Sequence, residues 1–308
     1  KEGKLTIYTS VDVKVAEEIA KAFEKKYDGI KVTVERNGAE RQFSKIGQEY
    51  SSQIFNVDTV NSSDAAHFIF WQREGWLAPA LPQEVVDKYP KGTYDEKGFH
   101  APWRASLSVI AYNSKMVTDA EAPKSFKDLL DAKWKGKLVK AHPGYSGTIL
   151  TATFQISRDI GWDYLEKLAA QQVMQVQSST DPPRKVVAGE RAVMVDGNEY
   201  NVFLEQAKGA PISIVYPTEG TPLIIGPSGV MKNAKNPNAA RLYHAWSFSK
   251  EAQQMAVDIG GLRSFHPDVV EPAGRTPLRK IKLMKDDPAA VDKQVEQIKQ
   301  QYLKYFKT

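Results

Sequence analysis

The chain contains no cysteine, which excludes disulfides, thiolate metal sites and cysteine nucleophiles. A cysteine-free chain is also compatible with an oxidising compartment, where it has nothing to mispair. No apolar run approaches the roughly 20 residues a membrane-spanning helix needs. Histidine is scarce: His67, His100, His142, His244 and His266 are scattered, with no HExxH or other close pair. There is no GxSxG elbow, no phosphate loop of the GxxxxGK type and no GxGxxG turn. No two carboxylates stand out as an acid–base couple. The expectation is a protein that is not an enzyme and carries no cofactor.

Charge of a single sign is also missing. The 42 basic and 37 acidic residues are interspersed, giving a net charge of +5 without a basic block or an aromatic–basic stripe. That pattern argues against nucleic acid as a partner. A pI near 9.0 is compatible with an anionic ligand but does not require one. The composition, 42% hydrophobic and 26% charged, is that of an ordinary globular chain, and 308 residues suit two lobes better than one.

What is present is an alternation of strand and helix. Leu5-Thr6-Ile7-Tyr8-Thr9-Ser10 reads as a strand that breaks into two hydroxyls. A helix over 11–27 follows at once, with Val15, Ile19, Phe23 and Tyr27 recurring every four positions as one buried stripe. Strands over 30–34 and 57–60 and helices over 39–50 and from 65 continue the βαβ pattern, which predicts a mostly parallel sheet covered by helices. The Pro-, Lys- and Asp-rich stretch 77–94 reads as a surface connection. A second α/β unit starts near Leu107, with strands over 108–113, 138–140, 192–196, 212–216 and 223–225. Helices are read over 146–158, 198–207, 237–248 and 251–259, and Ser125-Phe126-Lys127-Asp128 is a capping box. A last helix over 288–306 carries Val291, Val295, Ile298, Tyr302 and Tyr305 on one packing stripe.

A strand that ends against a helix start exposes backbone N–H groups and the positive end of the helix dipole, which suits an anionic or polar group. Such junctions recur at Thr9-Ser10, Asn61-Ser62-Ser63 and Ser146-Gly147-Thr148, with further helix starts at Thr180-Asp181-Pro182 and Asn198-Glu199-Tyr200. The bland reading of Ser10 or Asp12 is a helix cap. Arg104, just before the second unit, is the charged candidate: a guanidinium there can grip a carboxylate or phosphate, or it can pair with a surface acid. Trp103 reads as core.

Taken in order, Leu5–Ser10, Ala111-Tyr112-Asn113-Ser114-Lys115, Trp134-Lys135-Gly136-Lys137-Leu138, Ala188-Gly189-Glu190 and Tyr216-Pro217-Thr218-Glu219-Gly220-Thr221 resemble a known family. It is the ferric-iron-binding-like branch of the periplasmic solute-binding proteins of ABC importers. The resemblance covers essentially the whole chain. It implies an α/β, type II periplasmic-binding fold, with two α/β lobes joined by crossover strands and closing on a ligand as a hinged clamp. The implied N-terminal lobe is discontinuous, 1–107 plus 229–275. The C-terminal lobe is 108–228, and 276–308 is a helical segment packing on the lobes, with crossovers near 108–112 and 223–229.

Iron binders of this group present two adjacent tyrosines at the start of a C-lobe helix. They add a His or acid from the first turn and a Glu from the end of the third strand. Here Glu199-Tyr200 stands where the tandem tyrosines would be, Asp12 at the His position and Ser63 at the Glu position. Asp12, Glu199 and Tyr200 would be the ligands if the cargo were ferric iron, since carboxylates and phenolates are hard oxygen donors. The segment matching Ser146-Gly147-Thr148 commonly binds an anion in the family. The expected function is therefore capture of a small anionic solute, a carboxylate or a phosphate or phosphonate, for delivery to a membrane permease. Thr9, Ser10, Ser63 and Arg104 would act from one lobe and Ser146, Gly147, Thr148 and Tyr200 from the other, with Glu199 accepting from a ligand ammonium or hydroxyl. Ferric-iron delivery is the alternative, and a ligand-sensing module on the same fold is an alternative of another class. The start Lys1-Glu2-Gly3, directly before a strand, is read as what remains after removal of a secretory signal. A periplasmic monomer is expected.

Overall fold

The computed structural model describes residues 2–307; Lys1, part of the expected processed start, and Thr308 lie outside them. The chain opens with β1 (Lys4–Thr9), α1 (Val13–Lys26), β2 (Lys31–Arg36), α2 (Ala39–Ser51), β3 (Thr59–Asn61) and α3 (Ala65–Arg73). Asp12 caps α1 by accepting from the Lys14 N–H at 3.1 Å, Lys25 and Lys26 close its last turn, and Val15, Ile19 and Phe23 are buried as the four-residue spacing requires. The stretch read as a surface connection is structured instead. It holds β4 (Leu77–Ala78) and α4 (Gln83–Lys88), with Val85 and Tyr89 buried and the Tyr89 ring edge-on to Phe248 at 5.8 Å. Proline and charge there mark short elements on a packed chain, because two apolar anchors suffice to bury one side of a six-residue helix.

After β5 (Ala101–Leu107) come β6 (Ile110–Asn113), β7 (Leu138–Ala141), α5 (Gly147–Asp159), α6 (Trp162–Ala169), β8 (Met174–Val176), α7 (Asp181–Val187), β9 (Val193–Met194), α8 (Glu199–Gln206) and β10 (Ile212–Val215). β11 (Thr221–Met231), α9 (Pro237–Ser247), α10 (Lys250–Asp258), β12 (Leu283–Met284) and α11 (Pro288–Phe306) complete the chain. The capping box at Ser125 is reciprocal: the Asp128 N–H donates to Ser125 Oγ and the Ser125 N–H to Asp128 Oδ2, both at 3.0 Å. It opens a 3-10 turn, Lys127–Leu130.

Two compact units result. The first comprises the chain through Ala105 together with Ile225–Ala273; the second comprises Ser106–Ile224 and the chain from Gly274 onward. The backbone passes from one unit to the other inside β5, inside β11 and after Ala273. The first passage thus falls upstream of 108–112, whose residues belong to the second unit. In the first unit β1 pairs in parallel with β2 and β3, and β3 pairs antiparallel with β11, Asn61 opposite Ser228. Tyr8, Ile46, Val60, Phe68, Trp71 and Met231 pack as its core. The second unit orders its sheet β10-β6-β9-β7-β8, with one apolar cluster on Phe126, Leu165 and Ile156 and another on Val139, Val186 and Val202. α11 packs on α5 and α6, burying Val291, Ile298 and Tyr302; Val295 and Tyr305 are only half-buried.

The first unit also buries a histidine that cannot easily charge. His244 on α9 is fully enclosed, its Nδ1 3.3 Å from Ser228 Oγ. Burial first, then the charges of Arg241 and His100, lower its pKa from 6.5 to about 3. The folded state therefore binds fewer protons than the unfolded state between those values. Stability is full above about pH 6.5 and falls as pH drops toward 3. At pH 5 the expected loss is about 2 kcal/mol for this group alone. His100, lowered by burial against an opposing Asp95, adds in the same direction. Urea midpoints measured at pH 7.5 and pH 5 should separate for the wild type and draw closer for His244→Gln; an unchanged separation would assign the acid loss to other groups.

Candidate functional site

In the first unit the carboxyl ends of β1 and β3 and the middle of β11 converge on one guanidinium. Arg104, on β5 and 3% exposed, donates from Nη2 to Ser10 Oγ at 3.0 Å and from Nη1 to Asn61 Oδ1. Asn61 also donates from Nδ2 to the Pro227 carbonyl at 3.2 Å and accepts a 3.4 Å contact from Thr9 Oγ1. These partners fix the amide's orientation. The Ser10 hydroxyl and the Asn61 amide oxygen are neutral acceptors that position the guanidinium. The Thr9 hydroxyl accepts from the Val11 N–H at 3.2 Å and so closes the turn between β1 and α1. Ser63 is buried one residue before Asp64, whose carboxylate caps α3 through the Ala66 N–H at 2.8 Å. Thr9, Ser10, Ser63 and Arg104 all belong to this unit. Asn61 was read only as part of a junction; its role as the linker of β1, β5 and β11 depends on partners remote in sequence.

Gly226 makes room for this arrangement. A Cβ at that position would lie 2.8 Å from Arg104 Cγ, 2.9 Å from its Nε and 3.0 Å from the Ser62 carbonyl. Gly226→Ala should therefore displace the guanidinium and cost about 1–3 kcal/mol of stability. Thermal unfolding checks the cost, and a variant as stable as wild type would show that the Arg104 stem yields freely.

In the second unit Ser146, Gly147 and Thr148 form the buried start of α5, where Ser146 Oγ accepts from the Ile149 N–H at 3.4 Å. His142 lies just ahead. Its Nδ1 accepts from the Gly144 N–H at 2.9 Å, which puts the neutral ring's proton on Nε2. Burial and then the neighbouring Lys140 hold its pKa below the usual value. Lys140 and Asp196 form a fully buried ion pair at 2.6 Å, and Lys140 Nζ sits 5.4 Å from the Tyr302 ring centre. Asn198, the residue before α8, donates to Ser179 Oγ at 2.9 Å, bringing the starts of α7 and α8 together. Glu199 and Tyr200 are both buried in the first turn of α8, and Glu199 Oε1 accepts from the Tyr216 hydroxyl at 2.6 Å. The sequence pattern makes Thr180 a cap and Pro182 the first helical residue of α7; in the structure Pro182 is the second and Thr180 makes no side-chain cap. The three residues suggested for iron are divided, Asp12 in the first unit as the α1 cap and Glu199-Tyr200 in the second. Trp103 is core, its indole N–H donating to the Ser247 carbonyl at 3.1 Å.

Two α/β units built from interleaved chain segments constitute a type II periplasmic-binding fold, an architecture of solute binding. A structure of the periplasmic binding protein AfuA from Actinobacillus pleuropneumoniae with exogenous fructose-6-phosphate superposes with a TM-score of 0.90 at 25% identity, over 99% of this chain and 98% of that one. The iron-bound HitA of Pseudomonas aeruginosa superposes with a TM-score of 0.82 at 22% identity, over 97% and 99% of the two chains. A Salmonella typhimurium protein provisionally named as 2-aminoethylphosphonate-binding and periplasmic is 29% identical over 179 residues, 54% of this chain and 51% of that protein. The sequence profile of the bacterial extracellular solute-binding proteins matches residues 18–290, and the chain belongs to that family. It is an extracytoplasmic solute-binding component of an ABC importer, of a family that binds substrates for a membrane permease. Among the described residues no helix is long and apolar enough to cross a membrane.

Proposed function

We propose that this protein captures a small anionic solute of the carboxylate or phosphate and phosphonate type in the periplasm, as a monomer, and delivers it to its permease. The observation that carries the reading is Arg104: a buried, permanently charged guanidinium that donates to Ser10 and Asn61 at the ends of β1 and β3. A fixed positive charge favours an anion and opposes a bare trivalent cation by the same Coulomb term. Ser10, Ser63 and Arg104 act on the solute from the first unit, with Thr9 bracing Asn61. Ser146, Gly147 and Thr148 supply donors from the start of α5 and Tyr200 a phenolic hydrogen bond, while Glu199 accepts from a hydroxyl or ammonium. Fructose-6-phosphate, bound in the AfuA structure, and 2-aminoethylphosphonate, in the name of the Salmonella protein, each carry an anionic group beside hydroxyl or ammonium groups, which supports the anionic reading.

Protein freed of ligand by partial unfolding and refolding should be titrated calorimetrically with fructose-6-phosphate, 2-aminoethylphosphonate, citrate and ferric citrate. Saturable one-to-one binding of a metal-free anion is the expected result. Uptake of Fe(III) with a visible tyrosinate charge-transfer band, and no heat from any metal-free anion, would overturn the proposal in favour of iron.

A further inference from the structure

A second cluster of ligating side chains lies in the first unit. Glu40 is the second residue of α2, Asp64 caps α3 and His67 is the third residue of α3. His67 Nε2 lies 3.1 Å from Glu40 Oε1 and 3.5 Å from Asp64 Oδ2, and one ligating atom from each residue lies within 4.8 Å of the others. All three side chains are buried, at 8%, 1% and 5% exposure. Asp64 uses Oδ1 for the helix cap and turns Oδ2 toward the histidine. Phe43 stacks on the imidazole at 4.4 Å and Trp71 lies 5.7 Å from it, so the ring is held in the orientation that aims Nε2 at both acids.

We infer that Glu40, Asp64 and His67 form a binding site for a divalent transition-metal ion, with zinc the best match. Donors bonded to one zinc at about 2.0–2.2 Å are about 3–3.6 Å from each other, so the two N···O separations already suit a shared ion. Within the cluster itself, two carboxylates, a neutral imidazole and a divalent ion sum to no net charge. One nitrogen with two oxygens fits zinc better than magnesium or calcium, which favour all-oxygen shells. The bound ion would tie the start of α2 to the start of α3, whose cap Asp64 directly follows Ser63. The inference does not rest on the identity of the solute proposed above.

The test uses the full chain stripped with a chelator and titrated with zinc chloride in a non-coordinating buffer, by calorimetry and thermal unfolding. One zinc per chain and a raised unfolding temperature are expected, with magnesium giving neither. Glu40→Gln and His67→Phe, the latter keeping an aromatic ring against Phe43, should each weaken zinc binding at least tenfold. Co(II) should show the visible bands of a low-coordinate site in the wild type and lose them in His67→Phe. Circular dichroism establishes that both variants are folded. Absence of saturable zinc uptake, as for an imidazolium merely clasped by two acids, would overturn the inference, and so would unchanged affinity in both variants. Anion titration of the chelator-stripped wild type tells failure of this site apart from failure of the anion reading.

Discussion

Arg104→Ala is expected to weaken binding of the anionic solute by roughly a hundredfold, because one or two charge-assisted hydrogen bonds of about 1.5–3 kcal/mol each are lost. The same change leaves Ser10 Oγ and Asn61 Oδ1 without the donor that now holds them. A stability loss of about 1–3 kcal/mol should accompany it. The two effects separate by titrating well below the variant's unfolding temperature. Arg104→Lys keeps the charge but loses the planar fork that reaches Ser10 and Asn61 together, so it should recover only part of the affinity. Calorimetry on the three proteins checks this. Equal affinity in wild type and Arg104→Ala would remove the guanidinium from the site.

The second large effect is on stability. Lys140→Met should cost about 3–5 kcal/mol, because it strands the Asp196 carboxylate in an interior where both partners are now 0–1% exposed. Burial already pushes Asp196 up and Lys140 down from their ordinary values, each opposed by the partner's charge. Removing one partner leaves the burial cost and takes away its compensation. The double change Lys140→Met with Asp196→Leu removes both charges and should regain most of the loss or exceed wild type. Urea unfolding of the two single variants and the double variant forms the cycle. A double variant no better than Lys140→Met alone would show that Asp196 has another indispensable partner.

Much of the fold was legible because its signals are local. The four-residue spacing of Val15, Ile19 and Phe23 and the capping residues Asp12, Ser125 and Ser146 each act within one turn of chain. Arg104 stands out because it is a charge just before the start of the second unit. What escaped is non-local. Asn61 gains its meaning from Pro227, 166 positions away, and Lys140 from Asp196, 56 positions away. The residue pattern alone shows β11 only over 223–225, and the family resemblance carries it to 229, but it runs for eleven residues, since Pro222, Gly226, Pro227 and Gly229 resemble strand breakers. In place, Pro227 supplies a carbonyl to Asn61 and Ser62, and Gly226 and Gly229 admit close neighbours that a side chain would block. α4 is hidden by its charge and by flanking proline.

The pairing of β3 with β11 has a consequence for how this chain comes off the ribosome. β1, β2 and β3 are complete by residue 61, but the strand that covers the open side of β3 arrives only at Ser228–Val230. For the intervening synthesis, β3 offers unpaired N–H and C=O groups to any other extended segment. Nascent chains that stop short of residue 228 should thus be substrates for holdase chaperones and prone to edge-to-edge association, whereas chains extended past Met231 should become protease-resistant in the first unit.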